Sequence, residues 1–337
     1  MRDRYYYYLL NNDGRILYDR LIDGIKNRAI SVSCADLNVS DSVLVSVYKA
    51  VELDNPDLFF VDFSKYHYSD VVGAGKIDSL LVSYLYSVDD CGLLQDVVDN
   101  SFRKIVAMSS LEGCSELEKT WKIHDFFIDN IGYFSETINK VGTFEWFRAQ
   151  SILGVFLDKK AVCTGISKAF KYIMNQIGVR SIVVEGTAIN QNNIKEGHTW
   201  NIIKIDDNNY HIDITWDVSE SENGIRSYNY FNLTDKLIFL DHFTKSNLPV
   251  CASEKDNYFS RNESVIHNRR DWDRYFSNSY AHLFGDYYVR IDYPCDLENE
   301  IERIKEHIIK RSGCNSLSVE ITINDRQRII RVTVRNG

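Results

Sequence analysis

Ala161-Val162-Cys163-Thr164-Gly165, read with Gly197-His198-Thr199-Trp200-Asn201 and Asp213-Ile214-Thr215-Trp216, is the most informative part of this sequence. Behind the first block, Ile166, Phe170, Ile173, Met174 and Ile177 recur at the spacing of one helix face. Gly178 is placed to end that helix. The spacing therefore predicts a helix over 163–177 that begins at the cysteine. The other two blocks fall in apolar stretches, 198–205 and 210–216, on either side of Asp206-Asp207-Asn208-Asn209, a strong turn sequence. A helix start beside an antiparallel hairpin is the expected core.

That arrangement supplies a thiol, an imidazole and a carboxylate. At a helix N-terminus the macrodipole and the free N–H groups favour a thiolate at Cys163. If the hairpin turn is Asp206-Asp207, with Ile205 opposite Asn208, Asp213 faces Trp200. His198 is then its diagonal neighbour on the same face, roughly 5–8 Å away. If a four-residue loop pairs Ile205 with Tyr210, Asp213 slips to face Ile202 and the His–Asp contact is strained. A functional pair requires the tighter register. His198 would then take the Cys163 proton and Asp213 would orient the imidazole, which is the kit for acyl transfer through a thioester. The oxyanion needs donors: the Cys163 N–H is one, and Gln150 and Trp146 are the side-chain candidates. Gly165, Trp200 and Trp216 are expected to line the substrate cleft, with Gly165 leaving space for a substrate backbone. His211 shares the strand face of Asp213 and reads as a supporting residue. His124 lies on an apolar helical stripe and reads as structural. Asp217 reads as a carboxylate serving the strand end.

Composition narrows the class. The chain has 337 residues, 44% hydrophobic and 26% charged, as expected of a globular protein with a sizeable core. Its 39 basic and 48 acidic residues give a net charge of −9, which argues against a nucleic-acid surface. No apolar run is long enough for a membrane span, and the N-terminal segment breaks too soon for a secretory leader, so a cytoplasmic location is expected. Seven scattered cysteines (34, 91, 114, 163, 251, 295 and 314) include no CxxC pair, so a zinc ribbon is unsupported; no metal or cofactor is expected. The pattern implies three parts: a mixed α/β unit over 1–92, a core over 93–254, and a β-α-β-β unit over 255–337. In the first, residues 58–63 and 76–87 read as strands. In the core, helices are expected over 93–108 and 115–130, with Ser115 and Glu118 as a capping box.

At these residues the chain resembles the transglutaminase-like superfamily, in bacterial forms, whose core is related to papain-like cysteine proteases. The cysteine and histidine blocks above and Tyr210-His211-Ile212-Asp213-Ile214-Thr215-Trp216-Asp217 carry the resemblance. Lys122-Ile123-His124-Asp125 with Ile131-Gly132-Tyr133, Tyr230-Phe231-Asn232-Leu233-Thr234-Asp235, and Asp241-His242 extend it over roughly 115–245. The resemblance implies an α+β core with the cysteine-bearing helix packed on an antiparallel sheet, and Cys163, His198 and Asp213 as a triad. It implies a cysteine peptidase or acyltransferase acting on a protein or peptide substrate. Hydrolysis is the leading expectation. Protein-glutamine crosslinking or deamidation, a peptide-glycan amidase, and a non-catalytic protein-binding module on the same fold are the alternatives. The flanking regions do not look like the sandwich domains of animal transglutaminases, and no calcium-ligand cluster is evident.

Overall fold

The computed structural model describes residues 4–71, 76–221, 225–278, 285–312 and 317–336, so Cys314 lies outside the described residues. The chain is an α+β protein whose helices alternate with mostly antiparallel sheets. It divides into two compact units: Met1–Glu185, His198–Asp207 and Asp213–Arg226 form the first, and Gly186–Gly197, Asn208–Ile212 and Ser227–Gly337 the second.

The first unit opens with α1 (Tyr5–Leu9) and α2 (Asn12–Lys26). They are separated at Asn11, whose side chain accepts the Gly14 N–H and restarts the helix. β1 (Ser31–Ser33), α3 (Asp41–Asp54), β2 (His67–Val71) and β3 (Lys76–Leu81) follow. The strands make an antiparallel sheet in the order β1-β3-β2. Leu17, Leu21, Leu44, Val47, Val51 and Leu80 belong to its core. The strand expected over 58–63 does not form, apart from a single bridge between Val61 and Tyr84. Local hydrogen bonds win there. Asp62 accepts from Ser64 N–H and Oγ, and the Tyr48 hydroxyl donates to the carbonyls of Asp62 and Lys65.

α4 (Val88–Ser109) starts five residues earlier than expected, because Ser87 caps it through the Asp90 N–H. α5 (Glu116–Asn130) carries the expected capping box of Ser115 and Glu118. Next come β4 (Gly132–Tyr133), α6 (Phe144–Ala149), a π-type turn at Gly154–Asp158 and β5 (Lys160–Ala161). α7 (Cys163–Gln176) begins at the cysteine, and Gly178 beyond it has φ +87°, as an αL helix stop requires.

β6 (Arg180–Ile189), β7 (Lys195–Ile205), β8 (Asn208–Ile212) and, later, β9 (His242–Phe243) form a sheet in the order β8-β7-β6-β9. β7 ends at Ile205 and β8 starts at Asn208, so the connection is the two-residue turn Asp206-Asp207, with Asp206 at φ +51°. The strand expected over 210–216 stops at Ile212. Asp213 accepts the Thr215 and Trp216 N–H groups and so starts α8 (Ile214–Ser219).

The second unit continues through α9 (Asp235–Ile238), α10 (Tyr258–Arg261), β10 (Val265–Ile266) and α11 (Asp271–Asn278). It ends with β11 (Gly285–Ile291), α12 (Leu297–Ser312), β12 (Leu317–Asn324) and β13 (Ile329–Asn336), the expected β-α-β-β order. The sheet order is β10-β11-β13-β12, and Trp272, Val289, Ile304, Ile330 and Val332 lie in its core. Among the described residues, no helix is long and apolar enough to cross a membrane.

Candidate active site

Cys163 is the first residue of α7 and is half-buried. Val162 precedes it as an N-cap that cannot accept a hydrogen bond through its side chain, so no cap consumes the first N–H groups of the helix. The helix start is fixed from behind. The Val162 N–H donates to the Ala149 carbonyl at 3.2 Å. A Cβ at Gly165 would lie 2.2 Å from that same carbonyl oxygen and 2.9 Å from the Ser151 carbonyl oxygen. Gly165 is therefore needed for the approach of α7 to the 149–151 segment. It is buried, and a Cβ added there would face the chain's own backbone.

His198 on β7 and Asp213 at the start of α8 are brought together. His198 Nε2 and Asp213 Oδ2 are 2.7 Å apart, and both side chains are buried. The carboxylate has two tasks. Its Oδ1 caps α8 while its Oδ2 holds the imidazole, so the cap fixes the direction in which the second oxygen points. The imidazole also bonds the Cys163 side chain, which, with Nε2 committed to Asp213, falls to Nδ1.

The electrostatics follow from these contacts. Burial by itself pushes the Cys163 thiol up, but the His198 hydrogen bond and charge outweigh it and hold the pKa below the ordinary thiol value. Burial opposes protonation of His198, yet Asp213 and the Cys163 thiol overcome it and push the imidazole up to about 10. Both shifts favour the thiolate–imidazolium pair. The Thr199 N–H adds a further bond that favours the thiolate.

Two indoles pack on the imidazole. Trp200 lies parallel to it, 14° between planes and 6.3 Å between centroids, and Trp216 is tilted at 5.1 Å. Trp200 has no exposed surface, so it backs the ring from the interior and does not line a cleft, while Trp216 is half-buried. α7 and β7 are further tied by Ser167 Oγ donating to the Thr199 carbonyl at 2.9 Å and Asn201 Nδ2 donating to the Ser167 carbonyl at 3.0 Å. Sequence reasoning passed over this pair. The available signal was a serine four residues past Cys163, near an otherwise apolar helix face.

Gln150 is the C-cap of α6, and with Trp146 it lines a cavity of about 320 Å³ that also reaches Thr164.

The remaining histidines have other partners. His124 on α5 is fully buried, with Nε2 3.0 Å from Asp217 Oδ2. Asp217 is itself fully buried, so it is not a solvated strand-end carboxylate; the structure places it in a second His–Asp pair. Burial opposes protonation of His124, but Asp125 and Asp217 raise its pKa above the ordinary value. His211 Nε2 bonds Asp235 Oδ1 at 2.9 Å, and Asp235 Oδ2 accepts the Cys251 N–H at 3.1 Å. These three residues bring ligand atoms within 4.8 Å of one another and could hold a metal ion. The hydrogen bonds among them already satisfy the His211 and Asp235 side chains in part.

No family model matches the sequence, and no curated protein is significantly similar to it. Among solved structures, one described as "Crystal structure of a TGase" is similar to this chain with a TM-score of 0.33 and 15% identity. The likeness covers 48% of this chain and 46% of that one, about half of each.

Proposed function

We propose that this chain is a thiol-dependent acyl-transfer enzyme that cleaves protein or peptide amides through a thioester on Cys163. The observation that carries the proposal is the buried 2.7 Å bond between His198 and Asp213, on an imidazole that also bonds the Cys163 thiol. A structural cysteine needs neither an oriented imidazole nor a buried carboxylate behind it.

In this reading the thiolate attacks the amide carbonyl carbon. The oxyanion is met by the Cys163 N–H and a donor from Gln150 or Trp146. The His198 imidazolium gives its proton to the leaving amine as the C–N bond breaks, which leaves a thioester. The neutral imidazole then takes a proton from water as water attacks the thioester, and the acid and the thiol are released. Asp213 stays ionised throughout and holds Nε2, keeping Nδ1 toward the sulfur.

Product mass tests the proposal. Wild type and Cys163→Ala are incubated with a peptide library, with and without a labelled primary amine. Hydrolysis products from wild type alone support the reading. Amine-tagged products identify a crosslinking transferase instead. Products formed equally by Cys163→Ala exclude thioester chemistry.

A further inference from the structure

The cavity of about 320 Å³ is not explained by the acyl-transfer chemistry itself. It lies wholly within the first unit, between α3 with the 55–66 segment on one side and α6, α7 and β6 on the other. Its size is at the lower end of the roughly 300–1,000 Å³ typical of ligand sites. Three features connect it to the candidate active site. Thr164, the residue after Cys163, is in its wall; Thr164 Oγ1 is 3.4 Å from Thr199 Oγ1, beside His198; and both oxyanion candidates, Gln150 and Trp146, line it.

Its chemistry is selective. Tyr48, Phe63 and Tyr66 form a connected aromatic wall, with ring centroids 5.2 Å (Tyr48–Phe63) and 6.3 Å (Tyr48–Tyr66) apart. The Tyr48 hydroxyl bonds to the carbonyls of Asp62 and Lys65 hold that wall in place. The charges in the cavity are engaged with one another. Lys168 bonds Glu52 at 2.7 Å, and Lys49 bonds both Glu52 at 2.9 Å and Glu185 at 2.8 Å. Two cations and two anions leave no net charge to attract a charged group. An occupant would meet aromatic faces and a neutralised polar wall.

We infer that this cavity is the subsite for a large apolar or aromatic side chain on the acyl side of the amide that Cys163 attacks. The inference rests on the acyl-transfer reading. It also gives the N-terminal segment a task, because α3 and the 55–66 segment supply one wall of the subsite. The occupant's area is removed from water against Tyr48, Phe63 and Tyr66, and its neighbouring carbonyl is held near Gln150.

The test uses the p-nitrophenyl esters of N-acetyl-Phe, N-acetyl-Leu, N-acetyl-Asp and N-acetyl-Gly with the full chain, reading kcat/KM from release of p-nitrophenol. Wild type is expected to prefer the Phe and Leu esters over the Gly and Asp esters by about tenfold or more. Val45→Trp, which fills the cavity from the half-buried face of α3, is expected to remove that preference while leaving the Gly ester rate unchanged. Tyr66→Ala, at the exposed rim, is expected to reduce it several-fold and serves if the larger variant does not fold. Iodoacetamide labelling of Cys163 is followed in each variant. Equal rates on all four esters, or a Val45→Trp loss shared equally by the Gly ester, with Cys163 labelling intact, overturns the subsite and leaves the acyl-transfer reading standing. A Cys163 that labels no faster than the other thiols overturns both.

Discussion

The two oxygens of Asp213 do different work: Oδ1 caps α8 and Oδ2 holds His198. The two tasks are separable by substitution. Asn is as good an N-cap as Asp, but it carries no charge to support an imidazolium. Asp213→Asn is therefore expected to keep the helix, with a small change in thermal midpoint, and to lose roughly 10⁴-fold in turnover. Steady-state kinetics and a melting curve on the same sample check both halves. The pH dependence of stability gives a second test. The His198 pKa is pushed up to about 10 in the fold, against about 6.5 when unfolded. A raised pKa stabilises the fold fully below the unfolded value, and that contribution is lost as pH rises through the folded value. In a Cys163→Ala background, where the thiol no longer titrates and only Asp213 still raises the imidazole, unfolding free energy is expected to fall as pH rises above about 6.5, over a window that closes below the wild-type folded value. Adding Asp213→Asn is expected to flatten that fall, as urea titrations across the range will show.

At the element scale, what holds α7 and α8 in place was only partly legible. The start of α7 could be read because an apolar stripe of period 3.6 begins beside Cys163 and stops at Gly178. Turn chemistry marks a turn within 206–209 and leaves two registers open; the two-residue Asp206-Asp207 turn that forms is the one a His198–Asp213 pair was expected to require. The short helix α8 could not be read, because Tyr210 to Trp216 has the apolar content of a strand and only the capping contacts of Asp213 reveal where it turns. The close approach at Gly165 could not be read, since nothing local in sequence announces that a Cβ there would lie 2.2 Å from a carbonyl oxygen sixteen residues upstream. Gly165→Ala is accordingly expected to destabilise the protein by about 3 kcal/mol through overpacking, measured by urea unfolding, even though alanine is the better helix former. The His124–Asp217 pair joins α5 to α8 from residues 93 apart, and pairing over such a separation is not encoded in local pattern. Asp217→Ala removes the carboxylate on Nε2 of a buried imidazole and leaves only the longer 3.5 Å contact of Nδ1 with Asp125. It is expected to cost about 3–5 kcal/mol, and to lower turnover by loosening the helix that Asp213 caps, whereas Cys163→Ala lowers turnover without the stability loss.

At the scale of the whole molecule, the α+β class and the β-α-β-β order of the C-terminal part were legible because their strands and helices have distinct periods and clear turn residues. The 58–63 segment was not, because local turns engage the Leu58 and Val61 N–H groups and the Tyr48 hydroxyl takes the Asp62 carbonyl, in a way that apolar content does not signal. The burial of Trp200 also escaped pattern reading, since an aromatic beside a candidate histidine serves equally well as a cleft wall or as the interior surface behind the ring. The distribution of thiols over the molecule allows a direct test of whether Cys163 is an activated nucleophile. Cys163 has its pKa held down, whereas burial pushes Cys251 up well above the ordinary thiol range and raises Cys295 as well. Native protein is treated with iodoacetamide at about pH 6, where an ordinary thiol is almost wholly protonated, and the seven cysteines are followed by peptide mass. Cys163 is expected to be alkylated first and Cys251 among the last, and the Cys163 advantage is expected to disappear in His198→Ala. Labelling of Cys163 no faster than the other six thiols, or an advantage that survives the loss of His198, would contradict that role for Cys163.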